Sequence, residues 1–96
     1  MRILIWSLPA RRDLLDIVAY YRRVSPQIAD ELVDRIESAP LVLCDYPDLG
    51  TPTVGRDVRK WLVPKTPFIL FYHADRNRVA IRRVRQGASD WIGRAS

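Results

Sequence analysis

Apolar residues recur along this chain with two periods. Leu14, Ile17, Val18 and Tyr21 follow one another at steps of three and four or less, while Arg11, Arg12, Asp16, Arg22 and Arg23 lie elsewhere on the surface. That spacing predicts an amphipathic helix. Ser7 stands where an N-cap belongs and Pro9 is tolerated in a first turn, so the helix opens there and ends near Arg23 or Val24. Ser25-Pro26 then restarts helix, with an N-cap serine and a proline at the first helical position. Its stripe is Ile28, Leu32, Ile36, Ala39 and Leu43. Two helices joined by so short a link form an antiparallel hairpin. Pro40 removes an amide and crowds the preceding turn, so a kink or short break is expected there, with helix resuming to about Asp45.

The period shortens elsewhere. "RILIW" (2–6) reads as a short buried strand. "YPDLGTPTVGRD" (46–57) is rich in Pro and Gly and reads as a loop. "VRKWLV" (58–63), "FILFYHA" (68–74) and "VAIRRVR" (79–85) read as strands joined by "PKTP" and "DRNR". In the middle one Phe68, Leu70 and Tyr72 share one face and Ile69, Phe71 and His73 the other. Apolar residues on both faces mark a central strand. The order β-α-α-β-β-β predicts an α+β fold, with the helical hairpin on one face of a mostly antiparallel sheet.

Ninety-six residues support one core, so a single domain over 1–96 is expected. A domain this small gains stability from any partner that binds only its folded state. No apolar run approaches the roughly 20 residues that span a membrane. "MRILIW" is too short for a signal-peptide core, which leads to the expectation of a cytoplasmic chain with no membrane partner. Cys44 and His73 are each the only residue of their kind. No multi-cysteine metal site can form, and the four glycines lack phosphate-loop spacing, so neither metal nor cofactor is expected.

Charge changes the picture more. Residues 1–54 carry −2 and residues 55–96 carry +7, and 14 of the 16 basic residues are arginine. A one-sided basic field of guanidiniums fits an acidic partner, either nucleic acid or an acidic protein segment. The basic residues concentrate in strands: Arg59 and Lys60 in one, Arg82, Arg83 and Arg85 in "IRRVRQGASDW" (81–91). Alternation puts Arg83 and Arg85 on one face and Arg82 on the other, unless a bulge intervenes. Such a cluster can neutralise phosphates, dock an acidic peptide, or simply protect a sheet edge. Other candidates have plainer readings. His73 ends an apolar strand and is expected to be structural. One of Tyr20 and Tyr21 must face the core. Asp13 and Asp16 lie near a helix start, where a solvated acidic face suits the dipole. Trp91 can anchor a protein partner or cover the core.

The order of elements and several strings resemble the RelE/ParE superfamily of toxins from bacterial type II toxin–antitoxin modules. The resemblance runs from about Ile5 to Trp91. It rests on "WSLPARRDLLDIVAYYRRVSPQIADELVDRI", "YPDLG", "GRDVRKWLVPKTPFILFY" and "VAIRRVRQGASDW". It is closer to ParE, whose last strand often reads like Ile-Leu-Arg-Val-Leu-His-Gly before an aromatic residue. Arg83, Val84 and Gly87 match; Arg82 and Arg85 replace leucines, and Gln86 replaces histidine.

The resemblance implies a toxin that arrests growth and is silenced by a cognate antitoxin, with a higher-order complex possible. It implies one of two activities: ParE-type inhibition of DNA gyrase, or RelE-type ribosome-dependent cleavage of mRNA. RNA-cleaving members tend to carry an arginine before a Leu-Val-Tyr-like triplet; here Ile69 precedes Leu70-Phe71-Tyr72. An aliphatic group cannot stabilise a phosphorane, and Gln86 cannot exchange a proton near neutral pH. Gyrase is therefore the expected target, with Arg83, Arg85, Gln86 and Trp91 in the target- or antitoxin-binding surface. The alternative endonuclease would use Arg59, Lys60, Arg83 and Arg85. A third reading is a small basic nucleic-acid-binding module. The expected antitoxin supplies an acidic segment that folds on binding, wraps the helical hairpin and reaches the sheet.

Overall fold

A computed structural model describes residues 1–53, 55 and 57–87. Strand β1 (Ile3–Trp6) leads into helix α1 (Leu8–Val24). The Ser7 hydroxyl caps α1 by accepting the Ala10 N–H at 3.2 Å. Ser25 ends α1 and also caps α2 (Pro26–Ser38) by accepting the Ile28 N–H. The two helices form the expected hairpin. Helix α2 stops before Pro40, and a short helix α3 (Leu41–Asp45) follows, so the break falls where the missing amide places it.

Four more strands follow: β2 (Thr51–Pro52), β3 (Arg59–Leu62), β4 (Phe68–Ala74) and β5 (Arg78–Gln86). Their spatial order is β1-β5-β4-β3-β2. Only the β1–β5 pair is parallel. The α+β arrangement read from the periodicity is the one observed. Two details differ. "RILIW" is a half-buried edge strand, with Ile3 and Ile5 exposed, rather than a buried one. The 46–57 segment contains β2, which Thr51 and Pro52 form against Lys60 and Arg59. A two-residue strand holding a proline is a poor template for further pairing.

The core lies between the sheet and the hairpin. Phe68, Leu70 and Tyr72 from β4 meet Val79, Ile81 and Val84 from β5 and Ala10 and Ile36 from the helices. Leu14, Ile17 and Tyr21 pack against this cluster, while Tyr20 stays exposed. Ile28 also stays exposed, and Ala29 is buried instead, because α2 turns slightly away from the stripe the spacing suggested.

Tyr72 ties the loop after α3 to the core. Its hydroxyl donates to the Pro47 carbonyl at 2.6 Å and accepts the Gly50 N–H at 2.9 Å. A Cβ at position 50 would sit 2.5 Å from that hydroxyl and 2.9 Å from the Lys60 carbonyl oxygen, so glycine is required by space. Tyr72→Phe leaves the buried Gly50 N–H without an acceptor. The expected loss is about 1–3 kcal/mol, read by urea denaturation, with faster hydrogen exchange at the Gly50 amide. An unchanged midpoint would show that water replaces the hydroxyl.

Candidate functional site

Strand β5 carries the basic run, and its surroundings decide what each arginine can do. It is not an edge strand along its first half, since β1 covers residues 78–81. Beyond Ile81 no strand among the described residues pairs with that flank. The turn into α1 covers part of it: the Ser7 N–H donates to the Ile81 carbonyl at 3.0 Å, and the Ser7 hydroxyl donates to the Arg82 carbonyl at 3.0 Å. One turn later Asp13 reaches the same flank. Its Oδ2 accepts the Val84 N–H at 2.9 Å. Edge protection at this strand thus comes from α1 and not from arginine charge alone.

Asp13 also binds Arg83 in a two-pronged pair, Nε to Oδ2 at 2.7 Å and Nη2 to Oδ1 at 2.9 Å. Only 15% of the Asp13 side chain is exposed, which corrects the solvated-face reading of this residue. Sequence spacing could not show it, because the partners lie 70 positions apart. Burial pushes the Asp13 carboxyl up. The hydrogen bonds from Arg83 and from the Val84 amide, with the charges of Arg83 and Arg85, outweigh that and hold it below the usual carboxylate value. The same pair pushes Arg83 further up.

A bulge resolves the facing of the arginines. Phe71 pairs with Arg83 and Tyr72 with Ile81, so Arg82 is the extra residue. Arg83 and Arg85 then stand opposite Phe71 and Ile69, on the face away from the helices. The remaining exposed cation of that face in β3 is Lys60, opposite Phe71. Arg59 is on the other face, opposite Tyr72. It donates to the Gly50 and Asp48 carbonyls and lines a cleft of about 370 Å³ with Arg2, Arg76, Asp48, Asp57 and Asp75. Lys60, Arg83 and Arg85 thus share one face, with Arg83 already paired to Asp13, while Arg59 is turned to the other.

Gln86 is exposed at the end of β5, opposite Phe68. Gly87 follows, donating to the Pro67 carbonyl at 3.0 Å, and Ile69 lies where a Cβ on it would be. Trp91 lies outside the described residues. His73 keeps its structural reading: its Nδ1 is 2.8 Å from the Asp57 carbonyl oxygen and 3.2 Å from the Asp57 carboxylate. Cys44 is buried in α3, and burial pushes its thiol up. Among the described residues no group of three metal-ligating side chains converges, and no helix is long and apolar enough to cross a membrane.

Comparison with known proteins agrees with this architecture. A solved structure described as the chromosomal ParDE TA system from P. aeruginosa superposes with a TM-score of 0.77 at 24% identity, covering 91% of this chain and 97% of that one. At that identity the likeness concerns the fold. The Sinorhizobium fredii protein named "Putative toxin Y4kP" is 33% identical over 86 residues, 90% of this chain and 88% of its own length. Residues 4–91 match the family described as ParE toxin of the type II toxin-antitoxin system parDE. The chain belongs to that family, the ParE toxins of type II toxin-antitoxin systems.

Proposed function

We propose that this toxin arrests growth by inhibiting DNA gyrase in the cytoplasm, through a protein contact at the end of β5, and that a cognate antitoxin neutralises it. The contact surface consists of Arg85, Gln86 and the exposed part of Arg83, and Trp91, which follows them in sequence, is its fourth candidate. The observation that carries the reading is the dispersal of the bases. Phosphodiester cleavage needs charged groups converging on one phosphate. Arg59 faces the 47–50 loop on one side of the sheet, Arg83 on the other side holds Asp13, and Lys60 and Arg85 stand on that side with β4 between them. A contact between protein surfaces makes no such demand, and guanidiniums on an exposed strand end suit it.

Purified toxin, freed of antitoxin, is expected to abolish supercoiling by gyrase on relaxed plasmid with ATP and to trap protein-linked DNA breaks. Normal supercoiling by gyrase in the presence of demonstrably folded toxin would refute the proposal. Cleavage of mRNA on translating ribosomes by the same preparation would establish the endonuclease in its place.

A further inference from the structure

We infer that strand β1 is the docking edge for a second copy of this chain, the two copies pairing antiparallel through Ile3–Trp6 across a dyad at Ile5. The inference goes beyond gyrase inhibition and does not depend on it. β1 ends the sheet, and β5 is its one strand neighbour among the described residues. The Ile3 and Ser7 amides donate to the Asn77 and Ile81 carbonyls at 2.9 and 3.0 Å. Alternation therefore turns the amides and carbonyls of Leu4 and Trp6 outward. Among the described residues no hydrogen bond reaches these outward groups. Other margins of the sheet are guarded. β2 holds Pro52, and Ser7 and Asp13 occupy the flank of β5. β1 reads Ile-Leu-Ile-Trp, with neither charge nor proline. Its polar neighbours are turned away from the edge. Arg2 donates to the Asp75 and Cys44 carbonyls, and the Ser7 hydroxyl donates to Arg82. Ile3 is 68% and Ile5 38% exposed on the side away from the helices.

The edge complements itself. With the dyad at Ile5, Leu4 stands opposite Trp6 of the second copy, and each such pair exchanges two hydrogen bonds. All the outward groups of the strand are then satisfied. A dyad at Leu4 or Trp6 would instead set the other outward residue against Arg2 or Leu8, outside the strand. Ile5 meets its own copy at a non-hydrogen-bonded site, where side chains approach most closely and a β-branched pair stabilises the sheet. On the helix side Leu4 lies against the indole of Trp6 from the second copy, twice by symmetry. The contact is a closed two-fold one, so it stops at two chains. A second copy is favoured over a foreign peptide because its β1 is already extended, and pairing orders no new chain. β1 covers β5 only over residues 78–81, so Arg85 and Gln86 stay outside the seam.

Sedimentation of the full-length toxin, freed of antitoxin, is expected to show a reversible dimer with a micromolar dissociation constant. A seam of one short strand lies at the small end of specific interfaces. Ile5→Lys sets two ammonium groups against each other on the dyad and is expected to weaken the dimer about tenfold or more. Leu62→Lys makes the same charge change at an exposed apolar position on β3 and is expected to leave it within about twofold. Cysteine substitutions read the register. The two Cα atoms of Ile5→Cys would meet about 4.5 Å apart, within disulfide reach, so oxidation is expected to yield a covalent dimer. Copies of Ile3→Cys stand four residues apart along the pair, about 13 Å, and are expected to cross-link at least tenfold more slowly. Cys44 is buried and stays out of this chemistry. A chain that stays monomeric far above micromolar concentration would overturn the pairing. So would equal cross-linking at positions 3 and 5, or a dimer that Leu62→Lys weakens as much as Ile5→Lys does. Should Ile5→Lys fail to fold, the two cysteine variants decide alone. Protection of the Leu4 and Trp6 amides from hydrogen exchange only once antitoxin is added would give the edge to the antitoxin and overturn the self-pairing.

Discussion

Asp13→Ala lowers the stability of the folded chain by about 2 kcal/mol, which for a domain of this size is a fall of roughly 10 °C or more in the thermal midpoint. Two losses combine. The Val84 N–H, on a strand flank that no other strand among the described residues covers, loses its acceptor, and Arg83 loses the carboxylate that fixes it. Arg83 is 42% exposed and regains water, so most of the cost lies at the amide and in the docking of α1. Asp13→Asn costs less because its Oδ1 still accepts one bond. The pH dependence has a definite sign. The folded carboxyl lies below its usual value, so in acid the unfolded chain binds more protons, and stability rises with pH. The contribution of Asp13 is complete above about pH 5 and disappears as pH falls through the folded value. Asp13→Asn should therefore flatten the acid side of the stability curve. It does not abolish that side, because the Asn77 and Arg78 amides also hold the Asp75 carboxyl down. An acid limb identical in wild type and Asp13→Asn would contradict the clamp.

How α1 meets β5 marks the limit of what the sequence reveals. The helices were legible because Ser7, Pro9, Ser25 and Pro26 act locally: each cap is fixed by residues within one turn of it. The central position of β4 was legible for a similar reason, since both of its faces are apolar. Pairing partners are not local. The parallel association of β1 with β5 joins the two ends of the chain, and no short-range pattern encodes it. The bulge at Arg82 is equally silent, because Arg-Arg at 82–83 fits either facing. So the sequence reading located the basic strand end but could not tell a paired arginine from an exposed one. That distinction depends on Asp13, placed there by the helix and not by the strand.

The distinction governs the functional mutants. Arg85→Glu is expected to abolish growth arrest on expression without antitoxin, and to weaken the contact with gyrase roughly tenfold or more, while leaving the melting temperature near that of wild type. Its side chain is exposed, and among the described residues no carboxylate holds it as Asp13 holds Arg83. Arg83→Glu also abolishes arrest, but for another reason: it sets a second carboxylate against Asp13 and removes the fork, so the protein melts lower or fails to accumulate. Only Arg85→Glu therefore reports on the target surface. Arg83→Lys separates charge from geometry. An ammonium keeps the charge but cannot make the two-pronged pair, so stability should fall by about 1 kcal/mol while toxicity persists. Circular dichroism melts and colony counts on induced cells, taken on the same three variants, decide between these expectations. Full toxicity of a folded Arg85→Glu protein would move the target contact away from this end of β5.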